Sequence, residues 1–161
     1  MAFHRALLLS VVLAASSAQA QQATIAFGDL EQDTTLPVQV TADQLAVNNA
    51  DGSAVFSGNV AVTQGEMTLA AAEVSVTYGA DQSEIDQLVA SGGVTITNLA
   101  DKASAAEAVY TIDTGVIVLT GNVQLAQGGS TMQGQKLTIN LKDGTGIMEG
   151  RVTTTFVPGG N

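Results

Sequence analysis

Ile117-Val118-Leu119-Thr120-Gly121-Asn122-Val123-Gln124-Leu125 is a run in which every second residue is apolar, interrupted by one glycine. The same phrase occurs three more times: Ala54-Val55-Phe56-Ser57-Gly58-Asn59-Val60-Ala61-Val62, Leu88-Val89-Ala90-Ser91-Gly92-Gly93-Val94-Thr95-Ile96 and Gly146-Ile147-Met148-Glu149-Gly150-Arg151-Val152-Thr153-Thr154. Successive glycines lie 34, 29 and 29 residues apart. A period of two puts Phe56, Val60 and Val62 on one face and Ser57, Asn59 and Ala61 on the other, which is the signature of a half-buried strand. A glycine in mid-strand weakens it, so recurrence at one register points to a bend or a close backbone approach.

A second phrase alternates with the first. Ala42, Ala71, Ala105 and Gly134 each open a small-x-x-apolar-x-apolar pattern, and the next glycine of the first phrase follows after 16, 21, 16 and 16 residues. The second unit thus carries five extra residues, placed within 79–84. Turn signals punctuate the strands: Ala50-Asp51-Gly52, Gln64-Gly65, Asp113-Thr114-Gly115, Gln127-Gly128-Gly129 and Asp143-Gly144. Strand, tight turn, strand is an antiparallel meander. The spacing predicts an all-β domain of about ten to twelve strands over residues 38–156. Residues 81–88, the one helical candidate, read better as a longer turn. Residues 21–36 fit no strand template.

The ends and the composition narrow the function. Residues 1–5 carry Arg5, residues 6–15 are apolar but for Ser10, and Ala18-Gln19-Ala20 is a cleavage pattern. That is a secretory signal peptide over residues 1–20. A run of ten residues is too short for a membrane core that needs about 20. The expected divisions are then an extension at 21–36, a β domain at 37–157 and a tail at 158–161. The chain has no Cys, and its single His, His4, leaves with the signal. Catalysis by Ser-His-Asp or Cys-His and metal ligation by imidazole or thiolate are therefore excluded. The mature positive charges are Lys102, Lys136, Lys142 and Arg151, against all 15 acids. This balance excludes a phosphate backbone as partner. Asp81, Glu84 and Asp86 cluster beside the insertion, but their spacing is not that of a calcium loop. No carboxylate pair marks a glycosidase site. No metal, no cofactor and no enzyme activity is expected. Lys136 and Lys142 read as edge protection.

Pro37-Val38-Gln39-Val40-Thr41-Ala42-Asp43-Gln44-Leu45, followed by Phe56-Ser57-Gly58-Asn59-Val60, resembles the start of the OstA-like domain of lipopolysaccharide-transport proteins. The resemblance spans about residues 33–156, and the second Gly-Asn-Val at Gly121 agrees with it. It implies a twisted, V-shaped antiparallel β-taco or β-jellyroll with an open apolar groove that holds the acyl chains of lipid A. On that reading the groove is lined by Phe56, Val60, Val62, Val76, Val94, Ile96, Tyr110, Leu119, Val123, Leu125 and Ile139. The resemblance also implies head-to-tail stacking through edge strands, here at Val38 and Val40 and at Val152, Thr154 and Phe156. The implied partners are lipopolysaccharide, an LptC-like inner-membrane protein and an LptD-like outer-membrane translocon. The cleavable signal favours a periplasmic single-domain member. Because the chain is acidic, acyl burial at ~0.8 kcal/mol per CH₂, not phosphate pairing, carries the affinity. The alternative is a secreted structural or adhesive β-repeat protein with a closed core and no lipid.

Overall fold

The computed structural model describes residues 23–26, 31–80 and 83–157, the first four through their backbone alone. Among the described residues thirteen strands form one antiparallel sheet and no helix occurs. In chain order they are β1 (Ala23–Ala26), β2 (Gln39–Thr41), β3 (Gln44–Asn48), β4 (Ser53–Gln64), β5 (Met67–Tyr78), β6 (Ile85–Ser91), β7 (Val94–Asn98), β8 (Asp101–Ala105), β9 (Glu107–Thr111), β10 (Val116–Gln127), β11 (Ser130–Asn140), β12 (Thr145–Glu149) and β13 (Thr153–Thr155). Twelve of them lie within residues 38–156, as the turn spacing predicts.

The sheet is folded along a line so that it has two leaves. The first leaf holds β3, the start of β4, the end of β5, β6, β9, the start of β10, the end of β11, β12 and β1. The second holds β2, the end of β4, the start of β5, β7, β8, the end of β10, the start of β11 and β13. Long strands cross the fold line; short ones stop at it. The chain turns that corner eight times, and the two sequence phrases are two kinds of corner used alternately.

At the first kind, glycine and the residue after it both take left-handed backbone. Gly121 has φ +85 and Asn122 φ 47; Gly58 and Asn59 have φ +79 and φ 47. The β10–β11 register shifts between Thr120 and Val123, the mark of a bulge. Only glycine adopts such a φ without a steric cost, and here space forbids a side chain too. A Cβ on Gly121 would stand 2.7 Å from the Ala106 Cβ. The glycines line the fold as expected, but each rests on a residue of the neighbouring corner: Asp43, Ala72, Ala106 and Gln135. At the second kind the alternation slips by one residue. Leu69 and Ala71 face inward before this corner, and Val74 and Val76 after it.

One apolar core fills the space between the leaves. The first leaf contributes Val74, Val76, Leu88, Ile117, Leu119, Leu137 and Ile139, the second Val60, Val62, Leu69, Val94, Ile96, Val123 and Leu125. Each fully buried Leu, Ile or Val is worth about 1.5–3 kcal/mol.

Three readings are corrected. Residues 21–36 contain a strand, because β1 pairs with β12 (Thr24↔Ile147, Ile25↔Gly146); pairing to a distant partner overrides a weak local pattern. In the stretch 81–88 the turn ends at Glu84, and Ile85 to Leu88 already belong to β6, whose alternation is continuous with Ala90. Asp81 lies outside the described residues, as does the signal peptide. Lys136 does not guard an edge. It sits on β11 between β10 and β12 and pairs with Glu149 across the ladder, N–O 3.4 Å. Lys142 lies in the β11–β12 turn and donates to the Asp113 carbonyl. Strand order, which a sequence does not display, decides both.

Candidate functional site

All eleven residues expected to line the groove point into the space between the leaves. Phe56 is partly buried against the core and the other ten are buried. The groove itself is not open in this state. Leaves that carry Val, Leu and Ile on facing sides close on each other, and a void lined by Ile96, Ala103, Leu125 and Ile139 with Asp101 and Lys102 holds about 10 Å³. That is at the threshold of room for one water.

The interior is unsealed at its two ends. Among the described strands, β2 at the first end pairs only with β4 in the second leaf, and β3 only with β4 in the first. Val38 and Val40 pack partly on the core there. Leu45 and Val47 stand opposite Phe56 and Ala54 and share their inward face, yet they are 53% and 61% exposed for want of a next strand. At the far end β13 has β11 as its one neighbour among the described strands, Thr154 standing opposite Met132. Val152 is half-buried against the core and Phe156 is 75% exposed. Of the expected edge residues, Val40 lies in β2 and Thr154 in β13, each a strand with one neighbour among the described residues, while Val38, Val152 and Phe156 flank those strands. Leu45 and Val47 were absent from that set, although their alternation with Phe56 and Ala54 is readable across the turn at 49–52.

At the mouth, opposite the fold line, the turns join strands within each leaf, and the chain passes from β1 in the first leaf to β2 in the second. This mouth is crossed by residues 31–37. The Gln32 N–H donates to the Leu141 carbonyl of the first leaf at 2.9 Å, and its side chain donates to the Gln64 carbonyl of the second. Gln64, at the end of β4, is buried. Its amide nitrogen donates to the Thr34 and Leu36 carbonyls at 3.0 and 2.9 Å. Its amide oxygen accepts the Tyr110 hydroxyl at 2.7 Å from the first leaf. One side chain therefore ties the crossing segment and both leaves together. Burial pushes the Tyr110 phenol up to about 12, against a smaller opposing effect of the Gln64 hydrogen bond, so it is a donor at neutral pH.

Asn98 and Asp101 are the other buried polar residues among those described, and Gln127 donates to the Asp101 carboxylate at 2.9 Å. Gln64, Asn98 and Asp101 fill inward positions at the outer ends of β4, β7 and β8. The signal for Gln64 and Asn98 is a period of two carried one step past Val62 and Ile96 to a polar residue; Asp101 opens its strand two residues before Ala103. Beside the segment lies a cleft of about 650 Å³ between its Thr34 to Val38 side and Ser83, Glu84, Ile85, Ile112 and Lys142.

The family described as "LptA/(LptD N-terminal domain) LPS transport protein" matches residues 39–145. The lipopolysaccharide export system protein LptA of Escherichia coli (strain K12) is 30% identical, over 93% of this chain and 85% of the relative. LptA of Haemophilus influenzae is 26% identical over 94% and 89%, and an uncharacterized protein of Rhizobium meliloti 29% identical over 93% and 87%. In three dimensions the chain is similar to LptH of Pseudomonas aeruginosa, described as the LptA homologous periplasmic component of a lipopolysaccharide transport device. The TM-score is 0.70 at 20% identity, covering 79% of this chain and 99% of that one. With its matching fold and a family match across two thirds of its length, the chain belongs to the LptA/LptD N-terminal domain family.

Proposed function

We propose that this protein is a periplasmic bridge for lipopolysaccharide, which it carries by its acyl chains between the two leaves from the inner to the outer membrane. The observation that carries the reading is the apolar interior, which runs from the Val38, Leu45 and Val47 end to the Val152 and Phe156 end, with strands at each that have one neighbour and one free edge. The filled state is compatible with cargo. Parting the leaves breaks no ladder bond within either one, and a lipid chain replaces leaf-to-leaf hydrocarbon contact with contact of the same kind. Phe56, Val60, Val62, Val76, Val94, Ile96, Tyr110, Leu119, Val123, Leu125 and Ile139 would then line the acyl chains. The proposed domain limits are a signal over residues 1–20 and a working domain at 37–157, with β1 of the preceding extension joined to its sheet.

At the ends, free backbone groups invite another strand. Different edges meeting head to tail make a non-closing contact that propagates. Strand addition of this kind would join copies to each other, to an LptC-like protein at the β2–β3 end and to an LptD-like one at the β13 end. The competing reading, a closed structural β protein without lipid, is favoured by the filled interior.

A photo-crosslinking residue distinguishes the two. An aryl ketone at Phe56, where the native ring already stands partly exposed, is expected to label with lipopolysaccharide. The same probe at Asn59 or Asn122, both exposed at the outer corner, is expected to label far less. Equal labelling at the three positions, or none at Phe56, overturns the lipid reading in favour of the closed core.

A further inference from the structure

Resting on that lipid reading, we infer that residues 31–37 are a gate across the side of the molecule, latched by Gln64, and that acyl chains pass into the interior beneath it. Three observations converge on the segment. It is the one described stretch that spans the mouth from leaf to leaf, from the Leu141 carbonyl on the first to the Gln64 side chain on the second. Its hold is polar at a place where the interior is apolar. Gln64 directs both amide protons to segment carbonyls and its oxygen to Tyr110, although Val60 and Val62 precede it in the same inward row. A leucine would extend the core at that position, and a buried amide is tolerated there because all its groups are paired. Hydrogen bonds can be exchanged for water as the segment lifts, whereas a hydrocarbon seam would leave apolar surface exposed.

The third observation is the cleft. It lies under the edge of the segment and brings Leu36, Val38, Ile85 and Ile112 together with Glu84 and Lys142. The apolar side chains lead from solvent to Gln64 and fit an alkyl chain, while Thr34, Thr35, Ser83, Glu84, Asp113 and Lys142 keep the rim polar, Lys142 already donating to the Asp113 carbonyl. Gln64 is a positioning residue here. It acts on the cargo through the segment it holds.

The test uses the full-length secreted protein and lipopolysaccharide dispersed in dilute detergent, with the photo-crosslinker at Phe56 reporting the rate of loading. The chain has no cysteine, so an introduced pair is unique. The side chains of Thr34 and Lys142 both reach the position of Gly115, at 3.1 and 3.0 Å from its would-be Cβ. Thr34→Cys with Lys142→Cys, joined by a short cleavable thiol crosslinker, ties the segment to the first leaf. Loading is expected to slow about tenfold or more and to recover when the crosslink is cut. Gln64→Leu removes two hydrogen bonds to the segment and is expected to speed loading about tenfold, the population change for one to two such bonds. Tyr110→Phe, which leaves those two bonds in place and folds with one atom fewer, is expected to lie between. Loading of the crosslinked protein at the uncrosslinked rate means that lipid passes through the ends only, and overturns the gate while the lipid reading stands. Absence of labelling in the parent protein overturns both.

Discussion

The fold line and the mouth are the two places where the leaves meet, and they are built on opposite principles. At the fold line the joint is covalent at every corner and packed to contact, as at Gly121 on Ala106 and Gly92 on Ala72, whose would-be Cβ contacts are 2.7 and 2.6 Å. Backbone bonds run along it, from Gly93 to the Ala106 carbonyl and from Ala106 to the Gly121 carbonyl. At the mouth the leaves are bridged by side chains and by one segment that arrives from elsewhere in the sequence. A structure hinged at a rigid line and tied at a polar one can open on one side without losing its sheet. The contrast also separates what a substitution does: at the fold line it alters stability, at the mouth it alters closure.

The largest effect is expected at the fold line. Gly121→Val places a β-branched residue at φ +85 against the Ala106 Cβ. The left-handed backbone costs about 1–2 kcal/mol and the overpacking about 1–3 kcal/mol. Gly128→Val is the control, since Gly128 also has a positive φ, of 54, but nothing lies within 4 Å of its Cβ position. Urea denaturation is expected to show a loss of roughly 2–5 kcal/mol for Gly121→Val and only the backbone share for Gly128→Val. Equal losses would remove the close approach as the reason for the repeated glycine.

The same contrast governs what was legible in the sequence. The fold line is local: a glycine, its left-handed neighbour and the small residue of the next corner repeat at fixed offsets, so both phrases and the 79–84 insertion could be read directly. Even the slip in alternation was present, as the two residues between Ala71 and Val74 that the small-x-x-apolar pattern records. The inward row followed from the period of two. The mouth is non-local. Gln64 is separated by 30 residues from Thr34 and by 46 from Tyr110, and nothing in a glutamine announces which carbonyls it will meet. The β7–β8 turn was unread for a related reason: it rests on Leu99 at φ 52, with neither glycine nor proline to mark it. Strand order hid the rest. It sets β12 and β1 outside β11, and so turns the lysine taken for an edge guard into a cross-strand partner.

A smaller effect is expected at the latch. Tyr110→Phe deletes one buried hydrogen bond and is expected to cost about 1 kcal/mol. It also changes the response to base. The phenol is raised from 10.0 to about 12 in the folded protein, so the unfolded chain ionises first. The neutral group's contribution is complete below pH 10 and is lost as pH climbs toward 12. Melting temperatures from pH 8 upward are expected to fall more steeply for the parent than for the Phe variant. Parallel curves would mean that Tyr110 is accessible to solvent and the mouth already open.

The smallest effect lies in the crossing segment itself. Its Asp33 carboxylate accepts from the Thr35 hydroxyl at 2.5 Å and from the Thr35 N–H at 2.9 Å. These two bonds, the hydroxyl's first, lower its pKa below the ordinary value. A lowered pKa means that the turn is favoured above the unfolded carboxylate value of ~3.9 and is lost as pH falls through the lower folded one. Amide exchange at Thr35, followed by NMR, is therefore expected to quicken on acidification below that range in the parent and to show no such step in Asp33→Asn. Asp51 supplies the internal comparison, because it makes the same pair of bonds to Ser53 but in the turn between β3 and β4. Protonation there leaves the mouth untouched. If acid loosens Thr35 and Ser53 equally while the Gln32 amide stays protected through its bond to Leu141, then the segment is held by its ends and by Gln64, and its internal turn contributes nothing to closure.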